Sequence, residues 1–145
     1  MYKHVLIAVD GSAEGDRALS QGFALAKALA AKVTVMTATE PWTEAAYTVL
    51  PTPSMIRAYE KSATGNAASI LNAAKQKAES IGVSCEARHI KDQHAPEAII
   101  KLAREQNCDL IVVGSHGRGS IGRILLGSTS LKVLTFSSVA VLVCR

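Results

Sequence analysis

The sequence predicts a single open, doubly wound α/β domain: a five-stranded parallel sheet with helices on both faces. Three observations predict it. Short apolar runs alternate with longer stretches of helical periodicity, the order expected when each strand is followed by a crossover helix. The runs HVLIAV and DLIVVG are almost continuously aliphatic, as befits strands buried on both faces. Aromatic residues make up only 4% of the chain, so the core must be assembled from Ala, Val, Ile and Leu.

The elements follow in order. Residues 4–9 form the first strand and stop at Asp10-Gly11-Ser12, a turn signal with Ser12 placed to cap a helix. The helix runs over 13–31, with Ala18, Leu19, Phe23, Ala26 and Leu29 near helical spacing. Residues 33–39 are the second strand. Residues 40–59, with Pro41, Pro51 and Pro53, read as a long excursion with a short helix near its end, and excursions of that length are usually functional or mobile. A helix over 61–81 carries the apolar stripe Ala63, Ala67, Ile70, Ala74 and Ala78 and ends at Gly82. The third strand covers 83–90, and Pro96 opens a helix over 97–106, a position that suits a missing N–H. Residues 109–114 are the fourth strand. After a glycine-rich loop to Gly127 comes a helix from Ser128, then a fifth strand over 139–144.

The chain of 145 residues has the size of one domain, and no repeat or linker divides residues 1–145. No apolar run reaches the roughly 18 residues of a membrane span, and Met1-Tyr2-Lys3-His4 has no signal-peptide layout. Cys85, Cys108 and Cys144 are odd in number and lack C-x-x-C spacing, which argues against a disulfide framework or zinc site and fits a reducing cytoplasm. The net charge is +4, and its distribution matters more than its size: from Leu110 to Arg145 there is no Asp or Glu. The last quarter of the chain is therefore suited to an anion. No aromatic-rich strand or basic helix points to nucleic acid.

The chemistry lies in Gly114-Ser-His-Gly117-Arg-Gly119-Ser-Ile-Gly122-Arg-Ile-Leu-Leu-Gly127-Ser128-Thr129-Ser130. Glycines let backbone N–H groups close on phosphate oxygens. Hydroxyls at a helix start add donors where the helix dipole is positive. Two familiar motifs are nearly present and fail. Gly117-x-Gly119-x-x-Gly122 matches the dinucleotide fingerprint, but no acid follows to hold the ribose. Gly117-x4-Gly122-Arg123 has Arg for the Walker lysine and Ile124 for the magnesium-binding hydroxyl.

The spacing that does fit is G-x2-G-x9-G-[ST], through Gly114, Gly117, Gly127 and Ser128. With Asp10-Gly11-Ser12 after the first strand and the closing VAVLVCR, the whole chain resembles the universal stress protein family, in its ATP-binding subgroup. The resemblance implies the strand order 3-2-1-4-5, which puts Asp10 and Gly114 on opposite lips of one crevice. It further implies that Asp10 meets the adenosine end and that Ala38 offers backbone to the adenine. Gly114 and Gly117 would line the ribose and α-phosphate, and Gly127, Ser128 and Thr129 would hold the outer phosphates. The ligand would be ATP, or AMP or ADP, with Mg2+ carried through the phosphates. Two departures stand out. Gln93-His94-Ala95-Pro96 replaces a common G-x-P segment, and Ala140 stands where a proline is frequent before the last strand.

Beside these readings stand plainer ones. Asp10 could serve only the turn; Arg118 and Arg123 could face phosphate or solvent. His116 reads as a loop histidine held by hydrogen bonds, and His4, His89 and His94 as dispersed surface or strand-end residues. The cysteines read as small buried apolar side chains. The expected function is regulatory nucleotide binding with slow or no hydrolysis rather than enzymatic turnover, in a cytoplasmic homodimer paired through the uncharged strand 5. The alternative is a phosphoryl- or adenylyl-transferring enzyme using the same loop.

Overall fold

In the computed structural model, which describes residues 1–42, 50–116 and 126–145, the aliphatic runs are strands and every pairing is parallel. The described elements are β1 (His4–Ala8), α1 (Ala13–Leu29), β2 (Lys32–Ala38), α2 (Pro53–Ser80), β3 (Cys85–Ile90), α3 (Ala95–Glu105), β4 (Leu110–Gly114), α4 (Ser128–Phe136) and β5 (Ala140–Cys144). The sheet order is β3-β2-β1-β4-β5, as expected.

Successive strand residues point to opposite faces, so one sheet feeds two cores. On one face Val5, Ile7, Val33, Val35 and Val112 pack with Phe23 of α1 and Leu71 and Ala74 of α2. On the other, Leu6, Met36, Ile111 and Val113 pack with Ile99 and Leu102 of α3 and Val133 of α4. Each fully buried side chain of this size contributes about 1.5–3 kcal/mol relative to exposure.

Helix ends show why the chain folds where it does. Ser12 caps α1 by accepting from Gly15 N–H at 3.1 Å, and Ala30 ends that helix in the left-handed region at φ 54°. The second helix corrects the sequence reading. It starts at Pro53, not near residue 61, so the excursion that was expected to run to residue 59 is shorter. Thr52 Oγ1 accepts from Met55 N–H at 3.2 Å, and Pro53 occupies the first turn, where a missing N–H costs nothing. Pro53 is a helix initiator here, not a loop marker.

At the amino end of the sheet, the Asp109 carboxylate accepts from Lys3 N–H at 2.9 Å and from His4 N–H at 3.0 Å, while Asp109 N–H donates to His4 O at 3.0 Å. His4 Nδ1 lies 3.1 Å from Gln106 O and Nε2 lies 2.9 Å from the buried Thr34 Oγ1, so this histidine ties three elements together. Partial desolvation opposes ionisation of Asp109, but the N–H donors of His4 and Lys3 outweigh it and hold the carboxyl below its ordinary 3.8.

A group whose pKa is depressed by folding stabilises the fold above its unfolded value, and that contribution is lost as pH falls through the folded value. Asp109→Ala should therefore cost about 1 kcal/mol at neutral pH, the low end for charged hydrogen bonds because the site is solvent-exposed. Urea titrations should show the gap to wild type closing below the ordinary carboxylate range.

Candidate functional site

Strands β1 and β4 are neighbours, in register Val5↔Leu110, Leu6↔Ile111 and Ile7↔Val112. The chain leaves β1 into α1 on one face and leaves β4 toward α4 on the other. A cleft therefore opens at their carboxyl ends, the usual ligand position in open α/β sheets. It holds about 540 Å³ of empty space, its open mouth included. A wider depression of about 1200 Å³ lies at the opposite end, around His4, Thr34 and Gln106. Its polar groups are largely engaged in holding the strands together, and the fold rule favours the first cleft.

Of the residues singled out from the sequence, Asp10, Ala38, Gly114 and Thr129 line this cleft. Gly127 is the N-cap of α4 and Ser128 its first residue; they stand at its rim rather than among the lining groups. Gly117 lies outside the described residues, as do Arg118 and Arg123.

Asp10 is fixed by the turn it makes. Its Oδ1 accepts from Ser12 N–H at 2.9 Å and from the Ser12 hydroxyl at 2.5 Å, and that hydroxyl in turn accepts from Gly15 N–H. A Cβ on Gly15 would sit 3.0 Å from the same carboxylate oxygen. The plain reading and the ligand reading of Asp10 are thus compatible: the turn holds the carboxylate on the cleft wall.

Gly114 has a reason of its own. A Cβ there would stand 2.8 Å from Glu14 O and 2.9 Å from Glu14 C, both backbone atoms. Its missing side chain admits the first turn of α1 against the end of β4.

Among the lining residues not singled out from the sequence, Met36 and Ile99 join Ala38 and Ala95 in an apolar wall between β2 and α3. The i, i+2 spacing of Met36 and Ala38 and the i, i+4 spacing of Ala95 and Ile99 carried that signal. Pro96 lies in the first turn of α3 behind His94, so the Gln93–Pro96 departure still opens a helix at the cleft. Ser130, one of the three helix-start hydroxyls that the sequence directs at an anion, is placed differently from the other two. It is buried, and its hydroxyl donates to Gly114 O at 2.5 Å. His116 lines the cleft with Nδ1 3.1 Å from Ser115 Oγ.

The rim beyond Ala38 is held by the first part of α2, where the sequence places a short helix at the end of the excursion. Tyr59 OH donates to Glu40 O at 2.6 Å, and its ring meets Trp42 edge-on, with centroids 5.3 Å apart. Thr39 Oγ1 lies 2.7 Å from His89 Nε2, whose pKa is lowered by burial and then by Lys91. The thiols are not poised for chemistry: burial, then Asp109 and Glu86, pushes Cys108 up to about 11, and burial raises Cys144.

The three helix starts near the cleft differ in charge. The first turn of α1 holds Glu14 and Asp16 as well as the Ser12 cap, and that of α3 holds Glu97. The first turn of α4 has no acid and no side-chain cap. Acids near a helix start offset its positive end, so α4 presents the least compensated one.

A parallel sheet in this order, with its cleft at the β1/β4 switch point, defines an α/β class suited to small ligands. The profile of the universal stress protein family matches residues 1–145. A Staphylococcus aureus (strain USA300) protein named for that family is 32% identical over 146 residues, covering 99% of this chain and 84% of its own. The chain belongs to the universal stress protein family. The solved structure of the hypothetical protein MJ0577 superimposes with a TM-score of 0.84 at 25% identity, covering 99% of this chain and 96% of that one. A universal stress protein solved in complex with cAMP does so with a TM-score of 0.74 at 29% identity, covering 99% and 97%.

Gly114→Ala should lose about 1–3 kcal/mol, the usual range for overpacking, because backbone at Glu14 must move. Urea unfolding without any added ligand is the check. An unchanged midpoint would show that packing is not why a glycine stands there.

Proposed function

We propose that this protein binds an adenine nucleotide, ATP in the first instance, as a regulatory ligand that it hydrolyses slowly or not at all. The observation that carries the reading is the pairing, within one cleft, of an apolar wall with an uncompensated helix start. Met36, Ala38 and Ile99 suit a planar base, while Ser128 and Thr129 offer backbone N–H groups and hydroxyls to phosphate, with Gly127 leaving room for it beside them. The complex of a 29% identical relative with cAMP supports an adenine nucleotide here. Asp10 would face the adenosine end, with any Mg2+ held mainly by the phosphates, since magnesium keeps several waters and needs few protein ligands.

Slow turnover follows from the donors available. Among the described residues that line the cleft, Asp10 is the one carboxylate, and its Oδ1 is already engaged by Ser12. Phosphoryl transfer needs a positioned nucleophile as well as charge stabilisation.

Gly127 supplies a clean test. Its φ of −69° and ψ of 163° are extended backbone that valine adopts without strain. Gly127→Val should therefore cost no more than about 1 kcal/mol, the scale of a lost N-cap, yet abolish ATP binding in calorimetry by filling the phosphate position. Unchanged affinity in this variant would sink the assignment. Turnover by the wild type at about 1–100 per second, lost in the same variant, would overturn the binding-protein reading in favour of a transferase.

We further propose a homodimer formed through β5. The sheet has two edges, and they are dressed differently. On β3, Glu86 and Arg88 form an exposed pair at 2.9 Å, the kind of charge that discourages pairing. The β5 sequence AVLVC carries no charge, and Leu131, Leu134 and Phe136 of the preceding helix are exposed. Twofold pairing of an open apolar edge is the commonest solution. Sedimentation should give a dimer at micromolar concentration, shifted toward monomer by Val141→Pro with the circular dichroism spectrum retained. A wild-type monomer would refute it.

A further inference from the structure

We infer that Ser130 is a positioning residue that sets the direction of α4, and hence the phosphate end of the cleft, without contacting the nucleotide through its hydroxyl. The inference rests on the nucleotide reading above and adds a residue to it. Three hydrogen bonds fasten the neck of the segment between β4 and α4. Ser115 N–H donates to Cys144 O at 2.7 Å, extending the β4–β5 pairing by one residue. Gly127 N–H donates to Ser115 O at 2.6 Å and closes the neck. Ser130 Oγ–H donates to Gly114 O at 2.5 Å, and both Ser115 and Ser130 are buried.

The last two bonds do different work. The bond from Gly127 fixes the point at which the helix begins, but a single point is a pivot. Ser130 is three residues on, nearly one turn of helix, so its bond is a second point, and two points fix an axis. The axis decides where the amides of Ser128 and Thr129 aim. The base end, between Met36, Ala38 and Ile99, is built from β2 and α3 and does not use this bond.

Removing the hydroxyl should therefore weaken ligands in proportion to their phosphates. It also leaves Gly114 O without this donor in a half-buried setting. A net hydrogen bond is worth about a kcal/mol, and misaimed donors lose affinity beyond it, so ATP should bind Ser130→Ala about fivefold to tenfold more weakly. Adenosine should change by less than about twofold, because it makes no phosphate contact. Ser130→Thr, which keeps the donor, should restore ATP affinity.

Calorimetry with adenosine, AMP and ATP on the full-length wild type, Ser130→Ala and Ser130→Thr tests this, with thermal melts of each free protein. If Ser130→Ala does not fold, Ser130→Cys keeps the volume with a weaker donor and should show the same phosphate-dependent loss. A graded loss from adenosine to ATP, rescued by threonine, supports the assignment. Equal losses for adenosine and ATP, no loss, or no rescue overturns it while leaving the cleft reading intact. A wild type that binds neither ligand overturns both.

Discussion

The adjacency of β1 and β4 is the constraint on which the rest of the molecule depends. Parallel pairing in the register Val5↔Leu110 brings both strands to their carboxyl ends at nearly the same level, at Ala8 and Gly114. Because α1 and α4 then depart to opposite faces, no helix among the described residues crosses the top of this pair. The gap is a consequence of chain connectivity, present before any side chain is chosen. Sequence enters by deciding what the two lips carry. One lip receives a turn-locked carboxylate at Asp10; the other receives a glycine at Gly114 whose bare Cα lets α1 close in.

The same residues serve stability and the site, which explains the density of small side chains around the cleft. Gly15 must be small because Asp10 Oδ1 is 3.0 Å from where its Cβ would be, and Gly114 because Glu14 backbone is nearer still. Gly22, further along α1, faces Ile7 of β1 at 2.6 Å in the same sense and lets the helix lie close on the strand. Helix propensity alone would favour alanine over glycine by about 1 kcal/mol at such a position, so close packing outweighs it. The result is close contact of α1 with the ends of β1 and β4.

Most of the fold was legible because buried parallel strands leave a strong mark: HVLIAV and DLIVVG could hardly be anything else beside helical stripes of alanine and leucine. The start of α2 was not legible. Proline disfavours helix interiors and favours first turns, so Pro53 is ambiguous until Thr52 is seen to accept from Met55 N–H. The position of that start matters for the site, since Tyr59, early in the helix, holds Glu40 at the rim. The apolar wall of the cleft was hidden for a different reason. Ala38 was expected there, but Met36 and Ile99 are ordinary core residues by type, and only the meeting of β2 with α3 turns them toward the same space.

The run Ser128-Thr129-Ser130 shows where sequence reasoning reaches its limit. Three hydroxyl residues in succession after a glycine all look like phosphate donors. A helix, however, turns about 100° between neighbours, so they cannot share a direction. Ser128 is exposed at the rim, Thr129 is half-buried on the cleft wall, and Ser130, though it also borders the cleft, is buried with its proton committed to Gly114 O. A hydroxyl in solvent can meet a ligand at little cost, whereas a buried one must keep a partner or forfeit its hydrogen bond. Burial therefore separates the two roles that residue type leaves merged. The residue that resembles its neighbours most closely in the sequence is the one whose work is done inside the protein, and its effect on a nucleotide passes through the direction of a helix rather than through contact.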